Sequence, residues 1–163
     1  MKYLWIIPII LLGWVVFSPK TSPPPTIQAP QHEPVTNTII KGVNEVRAAN
    51  RLKPLTESPK LDAIAKVKAN DMCQNNYWAH DNPNGKTYLS FFANYPSTHQ
   101  GENLAHGFIS ASAAIEAWVN SSAHYANIID PRFTQSGAVA IVCPNYLGVD
   151  NDTIMVNEFG LPR

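Results

Sequence analysis

Gly101-Glu102-Asn103-Leu104 decides how the rest of the chain is read. It sets a carboxylate beside a carboxamide, directly after a glycine that lets the backbone turn tightly. One histidine stands upstream, in His80-Asp81-Asn82-Pro83-Asn84-Gly85. Another stands downstream, in Trp118-Val119-Asn120-Ser121-Ser122-Ala123-His124. The expectation is a fold that brings His80, Glu102 and His124 into one cleft. Glu102 is read on a loop or short extended piece. Asn103 beside it is read as pinning backbone, with ligand contact as the alternative.

Outward from that stretch, helices precede strands. Ile39, Ile40, Val43 and Val46 recur at helical spacing behind a cap at Thr36 or Asn37. Pro54 ends that helix, and Ser58-Pro59 opens a second with proline at its first position. Leu61, Ile64, Ala65, Val67 and Met72 supply its buried stripe. Tyr88 to Tyr95 is a short aromatic helical segment. Ser110 or Ser112 starts a further helix carrying Trp118, which frays near Ser122. Phe133 to Val142 and Thr153 to Phe159 are rich in β-branched and aromatic residues and read as strands, with a polar turn over Asn145 to Asp152. Helices first and strands later imply an α+β domain.

The N-terminus differs. Tyr3 to Phe17 is apolar throughout, interrupted by Pro8 and Gly13. As a helix it would span roughly 22 Å, which suits a signal-peptide core or a short membrane anchor. Residues 1–18 are assigned to that signal or anchor. Residues 19–34 hold six prolines and are assigned to an extended linker. Residues 35–163 form the domain. This arrangement places the domain outside the cytoplasm, tethered through residues 3–17 or secreted. Of the 163 residues, 45% are apolar, enough for one sizeable core. Twelve basic residues balance twelve acidic ones, with no basic run interleaved with aromatics, so nucleic acid is excluded as a partner.

Cys73 and Cys143 are the two cysteines. In an oxidising compartment they are expected to form a disulfide. Two separate buried thiols are the alternative. No motif supports either as a catalytic thiol.

Six motifs in order carry a resemblance. Asn44-Glu45-Val46-Arg47, Leu52-x-Pro54-Leu55, His80 in a turn ending at Gly85, Gly101-Glu102-Asn103-Leu104, Trp118-x-x-Ser121-x-x-His124-x-x-Asn127-Ile128 and Asn157-Glu158-Phe159-Gly160 resemble the CAP superfamily. That group contains cysteine-rich secretory proteins, antigen 5 and pathogenesis-related 1 proteins, also called SCP domains. The match runs from about Val35 to Leu161, and its spacing is similar to the bacterial branch. The resemblance implies an α-β-α sandwich with a central antiparallel sheet. It also implies a cleft of two histidines and two acids that binds a divalent metal in some members. His80 and Glu102 match the first histidine and first acid. Ser121 stands where eukaryotic members carry the second acid, and Arg132 where they carry the second histidine. His124 belongs to the bacterial pattern, and Glu116 is a candidate replacement acid.

Two imidazoles and a carboxylate can hold tetrahedral zinc and leave one position for water, so His80, Glu102 and His124 are the candidate metal ligands. The alternative is a hydrogen-bonded polar cluster that holds the loops. Ser121 or Ser122 with His124 and Asp130 lacks the Gly-x-Ser-x-Gly elbow of a serine hydrolase. The sequence therefore points to a binding module for a divalent metal, a lipid or a cell-envelope component. A metal-dependent hydrolase using His80, Glu102 and His124 is the rival.

Overall fold

A computed structural model describes residues 35–163. The expected anchor and linker, residues 1–34, lie outside the described residues. Among the described residues, no helix is long and apolar enough to cross a membrane.

Helix α1 spans Val35–Ala49 and is followed by the two-residue strand β1, Thr56–Glu57. Helix α2 covers Pro59–Gln74, with Ser58 extended at its N-cap and proline in its first turn. A 3-10 helix at Tyr88–Phe92 leads into β2, Ser97–His106. Then come α3 (Ala111–Asn120), α4 (Ser122–Ile128), β3 (Gln135–Cys143) and β4 (Asp152–Pro162). The strands form one sheet in the order β1-β3-β4-β2. β3, β4 and β2 are antiparallel, while β1 joins β3 in parallel.

Alternation along β4 separates two cores, because successive side chains point to opposite faces. Met155 and Phe159 pack with Ile39, Val43, Ile115, Trp118 and Ile128 from α1, α3 and α4. Ile154 and Val156 pack with Ala65, Ala69 and Met72 of α2. Helices cover both faces, so the architecture is the expected α-β-α sandwich.

Three expectations change. Val67 is not part of the buried stripe of α2 but 57% exposed, because Leu61, Ile64, Ala65, Lys68, Ala69 and Met72 form the face turned to the sheet. Of the loop and the short extended piece left open for Gly101-Glu102-Asn103-Leu104, the structure shows the extended one, and it is the middle of the ten-residue strand β2. Glycine and polar residues are weak strand formers, and pairing with β4 along nearly its whole length overrides that propensity. The Trp118 helix does not fray near Ser122. It breaks at Ser121, whose φ of −104° and ψ of 116° are extended, and α4 restarts there.

Gly137 on β3 sets the distance between sheet and α2. A β-carbon there would stand 2.3 Å from the backbone of Leu61 and Asp62, so only glycine lets the helix rest on the strand. The Asp62 carboxylate accepts from the Ala138 amide at 2.9 Å and fixes that contact. Across the sheet, the Arg47 guanidinium is buried and donates to the carbonyls of Lys53, Ile128, Asp130 and Phe133. It ties α1 to the segment that carries α4 into β3. Cys73 at the end of α2 and Cys143 at the end of β3 form a disulfide, with Cα atoms 5.7 Å apart.

Candidate functional site

Glu102 on β2 pairs directly across from Glu158 on β4. Both carboxyls point to the α2 side of the sheet and are buried. Like charges directly opposite on neighbouring strands repel. Burial pushes the Glu158 carboxyl well above the ordinary glutamate range, and the Glu102 charge pushes it further. The neutral, protonated form of Glu158 is therefore favoured. Among the described residues, neither Glu158 oxygen nor Oε2 of Glu102 has a hydrogen-bond partner.

Oε1 of Glu102 meets Nδ1 of His80 at 2.6 Å. The His80 side chain is 52% exposed, whereas that of Glu102 is 1% exposed. Beneath them lies Lys68 of α2, fully buried. Its Nζ donates to the Tyr77 hydroxyl at 3.2 Å, the Ala79 carbonyl at 2.7 Å and the His80 carbonyl at 2.5 Å. All three ammonium protons are thus used, and two of them hold the backbone at His80. Burial lowers the Lys68 pKa, while Glu102, Asp71 and Glu158 act to raise it.

The other histidines fall in different places. His124 on α4 meets the Ser121 hydroxyl through Nδ1 at 2.9 Å. Burial, then the charge of His80, lowers its pKa and favours neutral imidazole. His99 pairs with Asp130 at 3.0 Å and stacks on Phe133. His106 pairs with Asp152 at 2.8 Å. Arg132 is exposed and bound to Asp130, which it holds well below the usual carboxylate range.

Asn103 lies on the opposite face of β2 from Glu102. It donates to the His124 carbonyl at 3.0 Å and accepts from Asn127 at 2.9 Å. Asn127 also donates to the Glu102 carbonyl at 3.1 Å. This chain of amides fastens α4 to the edge strand. Glu116 lines a separate groove between α1 and α3, because the break at Ser121 ends the continuous helix that would have aligned it with His124.

An open cleft of about 490 Å³ lies over His80 and Glu102, walled by Tyr88, Leu89, Gln100 and Asn127. His124 stands outside that lining. Among the described residues, no group of three or more His, Cys, Asp or Glu side chains could hold a metal ion. As arranged, His80, Glu102 and His124 do not form a coordination shell. One Glu102 oxygen is engaged by His80, and the other is buried beside Glu158.

Glu158 was read from sequence only as part of the Asn157-Glu158-Phe159-Gly160 motif, with no place in the site, and Lys68 was not singled out. Each left a signal. Glu158 is a carboxylate inside an otherwise apolar strand, and Lys68 sits on the buried stripe of α2, at positions where charge is rarely fully buried.

The three-layer α-β-α sandwich is consistent with the fold of SCP domains. The chain belongs to the CAP family: the profile of the cysteine-rich secretory protein family matches residues 40–157. The uncharacterized protein YkwD of Bacillus subtilis is 31% identical over 119 residues, which are 72% of this chain and 44% of that one. The uncharacterized membrane protein YlbC of the same organism is 28% identical over 104 residues, 61% of this chain and 29% of that one. The chain thus spans less than half the length of these relatives. Two solved structures share the fold. An extracellular SCP-domain protein from Bacillus anthracis superposes with a TM-score of 0.68 at 23% identity, over 78% of this chain and 40% of that one. An outer surface protein from Borrelia burgdorferi superposes with a TM-score of 0.69 at 23% identity, over 78% and 92%.

Proposed function

We propose that this chain is an extracytoplasmic binding module whose ligand, a component of the cell envelope, sits in the cleft over His80. One observation carries the reading: the acids of the site are turned inward. Glu158 and Glu102 face each other, buried, above Lys68, and no hydroxyl or thiol nucleophile is hydrogen-bonded to His80 among the described residues. The cluster therefore holds His80 and shapes an open surface. The Cys73–Cys143 disulfide supports an oxidising compartment. So do the apolar run at residues 3–17 and the extracellular and outer-surface descriptions of the two structural neighbours.

A specific observation favours a second reading, a lipid carrier. A groove of about 540 Å³ lies between α2 and the 3-10 helix, lined by Ala63, Ile64, Val67 and Phe91 with Lys60 and Lys86 at its rim. Its apolar floor and cationic rim suit a single-chain anionic lipid.

The test is binding of the full-length chain to purified cell-wall polymer and, separately, to fatty-acid-containing vesicles. It compares wild type with His80→Ala and Val67→Asp. Loss of polymer binding in His80→Ala alone supports the cleft. Loss of vesicle binding in Val67→Asp alone supports the lipid groove. Turnover of a peptide, ester or glycan substrate that His80→Ala abolishes would overturn a binding-only role.

A further inference from the structure

Exposed apolar side chains are unevenly spread over the domain. Of the seven large ones among the described residues, five stand at one end of the sandwich: Trp78, Ile109, Val142, Leu147 and Val149. Val142 lies near the end of β3, opposite Thr153 at the start of β4. Leu147 and Val149 belong to the connection between those strands, where Tyr146 bridges to Val149. Ile109 follows the end of β2, which is tied to β4 by the Gly107 amide donating to the Thr153 carbonyl at 3.2 Å. The Trp78 ring lies against His106, with centroids 4.5 Å apart, and His106 meets the Tyr146 ring edge-on at 5.7 Å. The Leu147 amide donates to the Asn76 side chain at 2.8 Å and joins the Trp78 segment to the β3–β4 connection. Three segments thus meet here, and each turns an apolar side chain to solvent.

The chain enters the domain at this same end. Gly42 of α1 packs against Ile115 of α3. The far ends of both helices meet α4: Arg47 donates to the Ile128 carbonyl, and α3 runs into α4 through Ser121. The two helices therefore run in the same direction, and α1 begins level with the start of α3, just after Ile109. Residues 1–34 precede α1 and include the apolar run Tyr3 to Phe17, read as an anchor. The end where an anchored chain joins the domain is the end closest to the lipid along the chain. Clustered exposed apolar groups mark contact sites. Tryptophan is favoured at the membrane–water interface, where its ring is apolar and its N–H stays wet. Residues 75–79, 106–110 and 144–151 hold no lysine or arginine, and their one acid is Asp150. Contact there would rest on apolar insertion and not on attraction to anionic headgroups.

We propose that this end of the domain is a membrane-contact surface, resting in the headgroup region of the bilayer that anchors the chain, with Trp78, Ile109, Leu147 and Val149 as the inserting side chains. The proposal is independent of what the His80 cleft binds, and it rests on the anchored alternative for residues 3–17.

The experiment is spin-label electron paramagnetic resonance on the full-length chain in phosphatidylcholine vesicles, with vesicle flotation reporting the anchor separately. Both native cysteines are in the disulfide, so one introduced thiol takes the nitroxide. The label is placed at Asp150→Cys, beside the apolar side chains, or at Lys53→Cys, beyond the opposite end of α1. Collisions with oxygen, which enriches in lipid, are compared with collisions with a nickel chelate, which stays in water. The expected oxygen-to-nickel ratio is several-fold higher at position 150 than at position 53. Ile109→Asp with Leu147→Asp changes two exposed positions and should bring the ratio at 150 down to that at 53, with flotation unchanged. Equal ratios at the two positions in a chain that floats would overturn the contact. Shielding of position 150 from both reagents would mean a protein partner or a second copy, and would overturn the bilayer as occupant. A chain that does not float would remove the anchor and the proposal with it, and would leave the cleft reading standing.

Discussion

Replacing Glu158 by glutamine keeps the shape of the side chain and a hydrogen-bond donor toward Glu102, and removes the titration. Glu158 is completely buried and lies directly across the sheet from Glu102. Its folded pKa is raised well above 4.5, first by burial and then by the Glu102 charge, with Lys68 opposing. A raised carboxyl pKa means that the folded chain binds more protons than the unfolded one above pH 4.5. Its stabilising contribution is complete below 4.5 and declines as pH rises toward the folded pKa. The slope for one such group is about 1.4 kcal/mol per pH unit. Glutamine has no such slope. The stability of Glu158→Gln minus that of wild type should therefore increase by about 1.4 kcal/mol per unit from near pH 5 upward, and level off at the native pKa. Any fixed effect of the second amide proton is independent of pH and drops out of the slope. The assay is urea unfolding of both full-length chains in half-unit steps from pH 5 to 8. A difference that stays flat from pH 5 to 6 would refute the raised pKa of Glu158.

Three further outcomes follow from the packing. Cys73→Ser with Cys143→Ser opens a closure 70 positions apart and should lower stability by about 4 kcal/mol in the chain-entropy view, seen as a lower urea midpoint. Arg47→Met strips the donor from four carbonyls and should destabilise by about 3 kcal/mol or more by the same assay, with Arg47→Lys unable to restore the planar fork. Gly137→Ala would place a methyl 2.3 Å from the α2 backbone and should lower stability by about 3 kcal/mol, read as a fall in melting temperature.

Much of the fold was legible because its signals are local. Proline at the start of α2, the apolar stripe of α1 and the β-branched run of β3 each report on a few neighbouring residues. β2 was not legible as a strand. His99, Gln100, Gly101 and Asn103 carry little strand propensity, and they are extended because β4 supplies their hydrogen bonds. The break at Ser121 was hidden for a related reason. Asn103 reaches across to the His124 carbonyl, and Asn127 to Glu102, so contacts made at a distance anchor α4 in its new direction.

The sequence by itself determined the candidate residues and the family resemblance, and it raised the expectation that the two cysteines pair. These depend on residue type, order and count, which need no third dimension. Tertiary structure alone decided what the candidates do together. Register between β2 and β4 set Glu158 against Glu102, and the bare backbone at Gly137 let α2 rest on the sheet on that same face. Lys68 on α2 reaches under His80. Strand alternation sent Asn103 to the far face, away from the acid next to it in the chain. Charge in a protein interior is governed by what surrounds it in space, and here each decisive neighbour arrives from a distant part of the chain.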